Sequence, residues 1–445
     1  MSLAVFFKNN LKNIPPHIGT LINKVPYSYR PGLGKIYEKR KAEIETFDTS
    51  KDVLKLKEFI FTRMYEITNY AYHNIPFYKE YYDTHNFIPA SLRCFGDLQK
   101  IPIVNKGILR NYNVEQRSAL RKSRYIVNTG GSSGTPFSLY IEPESMGHEW
   151  AHMHHIWGKL NYKPSDLKLV FGGRSDLKEL VEYDVIRNHF AVDIYASYSD
   201  VSKKLKKVLT KYEIKYLHGY PSSIYDFAVY CRDYDTELKE KLSNMLVGAF
   251  LGSEYPQPHY RKVIEDTFGV KSISWYGHTE RCVLAYEKNA PFVYAPFQTY
   301  GFTEAVESDE DHNLVSTNYY NYASPLIRYN TEDIISDLTY EGEILNSFKI
   351  TKGREGEFVI DKSGKKINLT GLIFGRHHDL FNFSKFIQVK QIEKGKIEIN
   401  FVSETLREEE AERLFDTRNL NFEVKFVKRI EPYRTSSGKI NLLVK

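Results

Sequence analysis

Short apolar segments alternate with helical patterns between Lys168 and Ile273, and this alternation restricts the fold more than any other feature of the sequence. The strand-like segments read LKLVFGG, VDIYA, IKYLHGY, MLVGAFLG and KSISWYG. Strands separated by helices favour parallel pairing, because the chain must cross back over the sheet between them. The segment therefore predicts an α/β fold with helices layered on a largely parallel sheet.

The chain has 445 residues, more than one hydrophobic core usually supports, so we expect at least two domains. The stretch FVYAPFQTYGFTEAVESDEDHNLVSTNYY adds antiparallel strands, which gives the large domain mixed sheets. From GREGEFVI onward, short strands and one charged helix indicate a small α+β domain. We therefore predict a large N-terminal domain over residues 1–353 and a small C-terminal domain over residues 354–445.

The charge balance and the cysteines exclude several classes of protein. There are 62 basic and 56 acidic residues, a net charge of +6 without a concentrated basic tract, so nucleic acid is not an expected partner. Cys94, Cys231 and Cys282 show no metal-ligand or disulfide spacing, which favours a reducing compartment. Since no apolar run is long enough to span a bilayer, we expect a cytoplasmic protein.

The stretch NTGGSSGTPFSLYIEP combines glycines with small hydroxylic side chains. Glycine backbones and short hydroxyls can approach an anion closely, and strand-like segments flank the loop. Thr135 and Pro136 follow the last glycine, so the loop lacks the lysine of a Walker motif. From this stretch alone, a phosphate-binding loop and a mobile hairpin loop remain equal alternatives. The residues that would hold phosphate are Thr129, Gly130, Gly131, Ser132, Ser133, Gly134 and Thr135.

The segment HEWAH matches a zinc-hydrolase pattern. On a helix, His148 and His152 would share one face and could bind zinc, with Glu149 as the general base. Glu179 or Glu182 could serve as a third ligand. A zinc-dependent hydrolase is therefore the alternative class of enzyme, although it leaves the motifs below unexplained.

The segment ISWYGHTER places an aromatic residue and a carboxylate at the end of a predicted strand. Tyr276 could stack on a purine, Gly277 allows close backbone approach, and Glu280 could bind Mg²⁺ that is held by phosphates. By itself the motif is better explained as a buried strand end followed by a surface glutamate.

Three further residues come later in the chain. Asp333, in SPLIRYNTEDI, follows a predicted strand and could accept hydrogen bonds from ribose hydroxyls. Arg354, in KGREGEF, supplies a permanent cation. Lys439, in EPYRTSSGKINLLVK, lies on a Gly-Ser turn, where a lysine is usually only solvated.

In this order, the stretches TGGSSGTP, YGHTE, RYNTED, GRE and RTSSGK resemble the motifs of the adenylate-forming (AMP-binding) superfamily. HGYPSSIYDFA and GSEYPQPHYRKVIEDTFGV are most similar to its phenylacetate–CoA ligase branch, in particular to members linked to capsular polysaccharide biosynthesis. The resemblance runs from about residue 65 to Lys445. It implies the fold of that superfamily, in which the small C-terminal domain is mobile.

The resemblance also implies a function: ATP-dependent activation of a carboxylic acid to an acyl-adenylate with release of pyrophosphate, followed by transfer of the acyl group. Thr129 to Thr135 would hold the β- and γ-phosphates, and Glu280 would hold Mg²⁺. The remaining roles implied are adenine contacts for Gly252, Ser253, Glu254 and Tyr276, nucleotide binding for Gly277, and ribose contacts for Asp333, helped by Arg354. Thr279 would touch the α-phosphate, and the catalytic residues would be Lys439, Arg354 and Thr279.

The expected partners are a small-molecule carboxylic acid and an acyl acceptor, with a homodimer left open. The acceptor is either coenzyme A or an amine or hydroxyl group of a sugar. The sequence departs from the family at Thr135, where many relatives have lysine, at Glu332, where glycine is common, and at the pivot residue after Arg354. These departures leave a nucleotide-binding protein without turnover as a second alternative.

Overall fold

A computed structural model describes residues 14–48, 52–121, 123–130, 136–174, 176–308, 312–350, 358–374, 376, 378–433 and 442–444. These residues fall into two compact units. The first comprises Met1–Val127, Ser138–Ser165 and Ile273–Gly353; the second comprises Asn128–Phe137, Asp166–Ser272 and Arg354–Lys445.

The α-helices of the described residues are α1 (Pro16–Ile22), α2 (Gly34–Asp48), α3 (Val53–Asn74), α4 (Pro76–Thr84), α5 (Lys106–Arg110), α6 (Ser145–Gly158), α7 (Tyr198–Leu209), α8 (Pro221–Tyr234), α9 (Thr236–Ser243), α10 (Pro258–Phe268) and α11 (Glu408–Leu414).

The strands are β1 (Val104–Asn105), β2 (Tyr125–Gly130), β3 (Pro136–Ile141), β4 (Leu167–Phe171), β5 (Val181–Asp184), β6 (His189–Val192), β7 (Ile214–Gly219), β8 (Gly248–Leu251), β9 (Lys271–Gly277), β10 (Leu284–Glu287), β11 (Tyr294–Pro296), β12 (Gly301–Glu307), β13 (His312–Asn318), β14 (Tyr329–Glu341), β15 (Ile344–Ile350), β16 (Phe358–Ile360), β17 (Lys366–Asn368), β18 (Phe386–Glu393), β19 (Lys396–Val402), β20 (Glu423–Arg429) and β21 (Leu443–Val444).

Local sequence determines where the first long helices begin and end. The carboxylate of Asp52 accepts a hydrogen bond from the backbone N–H of Lys55 and caps the start of α3. Ile75 is extended because it precedes Pro76, which then begins α4. Helix α6 packs against α2, where a Cβ atom at Gly147 would lie 2.9 Å from the carbonyl oxygen of Leu33.

The sheet of the first unit is antiparallel, with strands in the order β12-β13-β14-β15-β11-β10-β9. The short strand β1 pairs in parallel with the beginning of β14, with Val104 opposite Tyr329 and Asn105 opposite Asn330. This pairing fixes Val104 and Asn105 beside β14, the strand that carries Asp333. This pairing positions the candidate site described below.

The second unit contains the predicted parallel sheet, in the order β8-β7-β4-β6-β5. The β8-β7, β7-β4 and β4-β6 pairs are parallel, and β5 adds an antiparallel edge. The strand predicted over VDIYA was wrong, because β6 ends at Val192 and Asp193 begins a turn by accepting a hydrogen bond from the N–H of Tyr195. The parallel pairing itself is confirmed.

The C-terminal segment of the second unit forms a four-stranded sheet in the order β20-β19-β18-β21. Its apolar side chains, such as Ile387 and Phe401, share one hydrophobic core with residues of β4 and β7. The Lys365 ammonium donates to the backbone oxygen of Ile194 at 2.5 Å, which adds a polar contact inside this unit. The predicted boundary at residue 354 stays a prediction.

The three tryptophans of the sequence form an aromatic chain in the first unit. The ring centroids of Trp150 and Trp157 are 5.9 Å apart, and those of Trp157 and Trp275 are 6.2 Å apart. Trp275 directly precedes Tyr276 on β9. The aromatic chain therefore ends beside a residue of the candidate site.

In the part of the chain that the structure describes, no helix is both long enough and apolar enough to cross a bilayer.

Candidate active site

The two strands predicted around the glycine-rich loop are confirmed. β2 and β3 pair as a two-stranded sheet. Thr129 and Gly130 end β2, and nothing is described of their side chains. The other loop residues, Gly131, Ser132, Ser133, Gly134 and Thr135, lie outside the described residues, as do Arg354 and Lys439.

Tyr276 and Asp333 are brought into direct contact. The Tyr276 ring packs against a core that includes Val283 and Phe348, and its hydroxyl donates a hydrogen bond to the Asp333 carboxylate. Gly277 ends β9, and Thr279 is exposed in the turn that follows. An aromatic ring and a carboxylate therefore lie next to each other in the first unit. Recognition of a nucleoside by base stacking and by binding of its hydroxyls requires such a pair.

The backbone around Asp333 is held by hydrogen bonds from its own segment. The Asn330 amide oxygen accepts from the N–H of Glu332 at 2.8 Å, and the Thr331 hydroxyl oxygen accepts from the N–H of Asp333 at 3.2 Å. Glu332 has a φ of 64°, in the left-handed region that glycine adopts without cost. Glu332, where the motif that it resembles commonly has glycine, therefore lies at a conformationally demanding position.

Glu280 is a buried carboxylate with two cationic neighbours. Its Oε1 lies 3.4 Å from the Lys106 Nζ, and its Oε2 lies 3.3 Å from the His278 Nδ1. Burial opposes ionisation, but His278 and Lys106 outweigh it and hold the pKa of Glu280 well below its usual range. The carboxylate is therefore ionised at neutral pH, in a position where a metal could compete with Lys106.

Lys106 and His278 were not among the residues predicted from the sequence. Lys106 begins α5, whose first turn is capped by the side-chain oxygen of Asn105, which accepts from the N–H of Ile108 at 2.8 Å. Since Asn105 belongs to β1, the pairing of β1 with β14 fixes the position of Lys106. A single lysine after the short apolar stretch IPIV gives no sequence signal for this role.

Gly252, Ser253 and Glu254 follow β8 in the second unit. The N–H of Gly252 donates to the backbone oxygen of Gly219 at 3.1 Å, and Ser253 has a φ of 69°. The Glu254 Oε2 accepts from the N–H of Ser222 at 3.3 Å, in the first turn of α8. Its Oε1 is buried and has no hydrogen-bond partner among the described residues.

Burial raises the pKa of Glu254 to about 7, although the hydrogen bond from Ser222 opposes this shift. The side chain is therefore partly protonated at neutral pH and can donate as well as accept a hydrogen bond. A group with both capacities suits recognition of a heterocyclic base, whose edge carries donors and acceptors.

The HEWAH residues are engaged in other contacts. The His152 Nδ1 lies 2.9 Å from the backbone oxygen of His148, and its Nε2 lies 3.0 Å from the Thr299 hydroxyl oxygen. The Glu149 carboxylate accepts from the Tyr300 hydroxyl at 2.5 Å. Within the described ranges, no group of three or more metal-ligating side chains is present, so these residues give the zinc alternative no support.

Comparison with solved structures identifies the fold as that of an adenylate-forming ligase. The similar structures include those of 2-hydroxyisobutyryl-CoA ligase. Its complex with 2-HIB-AMP and CoA in the thioesterification state has a TM-score of 0.54 and 18% identity, and covers 88% of this chain and 90% of that chain. An open conformation of the same ligase, with 2-HIB-AMP and CoA, has a TM-score of 0.51 and 17% identity, and covers 87% and 91%. No protein-family model and no curated protein matches the sequence.

Proposed function

We propose that the protein is an ATP-dependent ligase that joins a carboxylic acid to AMP and then transfers the acyl group to an acceptor. The observation that carries this proposal is the contact of Tyr276 with Asp333, because it joins two motifs predicted independently to bind one nucleoside. The likeness of the fold to that of a CoA ligase supports the same reading.

The first step forms a bond between a carboxylate oxygen and the α-phosphorus of ATP, and breaks the bond from that phosphorus to the bridging oxygen. Pyrophosphate leaves with the electron pair. The acid is already ionised at neutral pH, so the protein must supply positive charge and orientation rather than a base. We assign this role to Lys439, with Thr279 at the α-phosphate and with Asp333 and Arg354 at the ribose.

The surroundings of Glu280 fit a magnesium ion. Mg²⁺ prefers carboxylate and phosphate oxygens, and Glu280 is a buried carboxylate kept ionised by its neighbours. When bound, the ion would neutralise part of the triphosphate charge. The loop from Thr129 to Thr135 contains neither lysine nor arginine, so we propose that Lys106, which lies beside Glu280, adds to this neutralisation.

The acceptor in the second step is coenzyme A or an amine or hydroxyl group, and we favour the thiol of coenzyme A. Two structures of similar fold contain CoA together with 2-HIB-AMP. The branch resemblance to phenylacetate–CoA ligases agrees with a thiol acceptor, whereas transfer to a sugar would place the enzyme in capsular polysaccharide biosynthesis. We propose residues 354–445 as the domain that repositions Lys439 between the two steps.

The test is ATP–pyrophosphate exchange with a library of carboxylic acids. We expect exchange with at least one acid and its loss in Lys439→Ala. The matched control is Lys425→Ala, a lysine of β20 to which the proposal gives no role. Exchange that is unchanged in Lys439→Ala would remove the assigned catalytic lysine. Tight ATP binding without exchange for any acid would favour the binding protein without turnover.

A further inference from the structure

A small cavity in the first unit is lined by polar side chains to which the proposed reaction assigns no role. It includes His148, Glu149, Arg281, Tyr300, Asn318 and Asn321. Its volume of about 10 Å³ gives room for about one water molecule. Arg281 directly follows Glu280 and has a left-handed φ of 55°, so the cavity adjoins the turn that carries the predicted metal ligand.

Three buried polar atoms of these residues have no hydrogen-bond partner in the part of the chain that the structure describes. They are the His148 Nδ1, the Asn318 Nδ2 and the Asn321 Oδ1. The three residues are 6%, 2% and 4% exposed. Buried polar atoms in native proteins are nearly always paired with protein, water or ligand. The cavity that these three residues line is therefore suited to hold a hydrogen-bonding group.

The tautomer of His148 follows from its contacts. Burial, together with the nearby His152 and Arg40, holds the pKa of His148 well below its usual range, so the ring is neutral. Its Nε2 lies 3.2 Å from the backbone oxygen of Tyr300, which can only accept. The proton is therefore on Nε2, and Nδ1 is an acceptor.

The orientation of each asparagine amide follows in the same way. The Asn318 Oδ1 accepts from the N–H of Leu326 at 3.2 Å, which leaves Nδ2 as a donor. The Asn321 Nδ2 donates to the backbone oxygens of Tyr140 and Ser324, at 2.8 and 3.1 Å, which leaves Oδ1 as an acceptor. These three atoms thus offer one donor and two acceptors to an occupant, beside the Arg281, Glu149 and Tyr300 side chains, which contact one another.

This combination selects among chemical groups. A hydroxyl accepts from Asn318 and donates to His148 or Asn321, whereas a methyl group satisfies none of them. A carboxylate would face two acceptors without a proton to donate, and an ammonium group would face the Asn318 donor. A water molecule matches all three atoms and can fill the cavity when no ligand is present.

We infer that this cavity recognises a hydroxyl group on the carboxylic acid, so that the substrate is a hydroxy acid. This inference rests on the proposed function. Arg281 and Glu149 also line the cavity; their side chains are each 23% exposed, and the Arg281 Nε and the Glu149 Oε2 are 4.0 Å apart. The acid's hydroxyl would displace the water, accept the hydrogen bond from Asn318 and make one of the two that the water donates to His148 and Asn321.

The experiment compares pairs of acids that differ by one hydroxyl: lactate with propionate, 3-hydroxybutyrate with butyrate, 2-hydroxyisobutyrate with isobutyrate, and salicylate with benzoate. Exchange of pyrophosphate into ATP gives kcat/KM for each acid, and calorimetry with AMP present gives its binding without turnover. For at least one pair, we expect the hydroxylated acid to be favoured by about tenfold or more in the wild-type protein, which corresponds to one well-made buried hydrogen bond.

Two substitutions at His148 separate the two ring nitrogens. His148→Gln can keep a donor toward the Tyr300 oxygen but has no acceptor at the Nδ1 position, whereas His148→Asn places a polar atom near Nδ1. We expect the preference for the hydroxylated acid to fall to less than about threefold in His148→Gln and to persist in His148→Asn. His85→Gln, at an exposed histidine, is the control and should leave the preference unchanged.

The wild-type comparison alone can overturn the inference, even if a variant does not fold. The inference is wrong if no pair shows a hydroxyl preference in either exchange or binding, or if His148→Gln weakens both members of a pair equally. The proposed function fails in a different way, by the absence of exchange with every acid and of ATP binding. A hydroxyl preference in direct binding would then still support the cavity assignment.

Discussion

The hydroxyl of Tyr276 donates a hydrogen bond to the carboxylate of Asp333, a residue 57 positions later in the chain. The contact orients the carboxylate before any nucleotide binds. Tyr276→Phe removes the hydrogen bond and keeps the ring in the core, so we expect ATP affinity to fall by about threefold to tenfold in calorimetry, the worth of one hydrogen bond to a charged group.

A double-mutant cycle tests whether Tyr276 acts through Asp333. If it does, Asp333→Ala should weaken binding more than Tyr276→Phe, and the double variant should bind no worse than Asp333→Ala alone. Tyr340→Phe, at a half-exposed tyrosine of β14, is the control. Fully additive losses would contradict a common role.

Glu280→Gln removes the only anion in the Lys106–Glu280–His278 group and leaves two neighbouring cations. We expect the exchange rate to fall by about 100-fold and the dependence on Mg²⁺ to shift to higher concentration. The thermal midpoint should also fall, because breaking a buried ion pair costs about 3–5 kcal/mol.

Lys106→Met removes one cationic partner of Glu280 and separates an effect on stability from an effect on ATP binding. Glu280 keeps His278 as a partner in this variant, so we expect a smaller loss of stability than in Glu280→Gln together with weaker ATP binding. Lys79→Met, which removes a surface ion pair with Asp83, is the control and should change neither property. Unchanged ATP affinity in Lys106→Met would exclude its role in charge neutralisation.

The raised pKa of Glu254 predicts a pH-dependent stability. A carboxyl with a folded-state pKa of about 7 and an ordinary unfolded value contributes stability that is complete below about pH 4.5 and is lost as the pH rises through 7. Glu254→Gln resembles the protonated form of Glu254 and does not lose this contribution to stability as the pH rises. Above pH 7 we expect the variant to gain up to about 3 kcal/mol relative to the wild type, and less than about 1 kcal/mol near pH 5.

Thermal unfolding followed between pH 5 and 8.5 checks this prediction. Ser222 donates from its backbone, so the glutamine can still accept that hydrogen bond. Glu237→Gln, at an exposed carboxylate near the start of α9, serves as the control. Parallel pH profiles for the wild type and Glu254→Gln would contradict the shift.

Glu332 adopts a left-handed backbone conformation with a φ of 64°. A non-glycine residue there costs about 1–2 kcal/mol, and glycine loses part of that advantage through its greater freedom in the unfolded chain. We therefore expect Glu332→Gly to raise the thermal midpoint by about 2 °C. Gly269→Ala makes the opposite substitution at another left-handed residue, with a φ of 68° and open space around the Cβ position. It should lower the thermal midpoint by a similar amount.

The sequence predicted the elements whose signals are local. The strands around the glycine-rich loop, the parallel sheet, and the strand that places Tyr276 all follow from alternation and from turn residues that lie close together. Asp333 could be proposed as a ligand because its motif is short and contiguous. The error at VDIYA has a local cause as well: β-branched residues extend past Val192, but Asp193 turns the chain.

Contacts that depend on long-range pairing could not be predicted in this way. Lys106 reaches Glu280 because β1 pairs with β14, an arrangement of only two residue pairs that no pattern in IPIVNK reveals. The raised pKa of Glu254 depends on the burial of one carboxylate oxygen, and the cavity beside Arg281 on the orientation of two amides. Each of these is set by the packed structure.

The aromatic chain of Trp150, Trp157 and Trp275 gives the protein an intrinsic fluorescent reporter. Indole emission depends on the polarity around the ring, and Trp275 directly precedes, in the sequence, the tyrosine proposed to contact adenine. The distances of about 6 Å between ring centroids also allow excitation energy to pass along the aromatic chain. Binding and release of nucleotide would therefore be observable in stopped-flow fluorescence on the native, unlabelled chain, without a coupled assay and before the acid substrate is known.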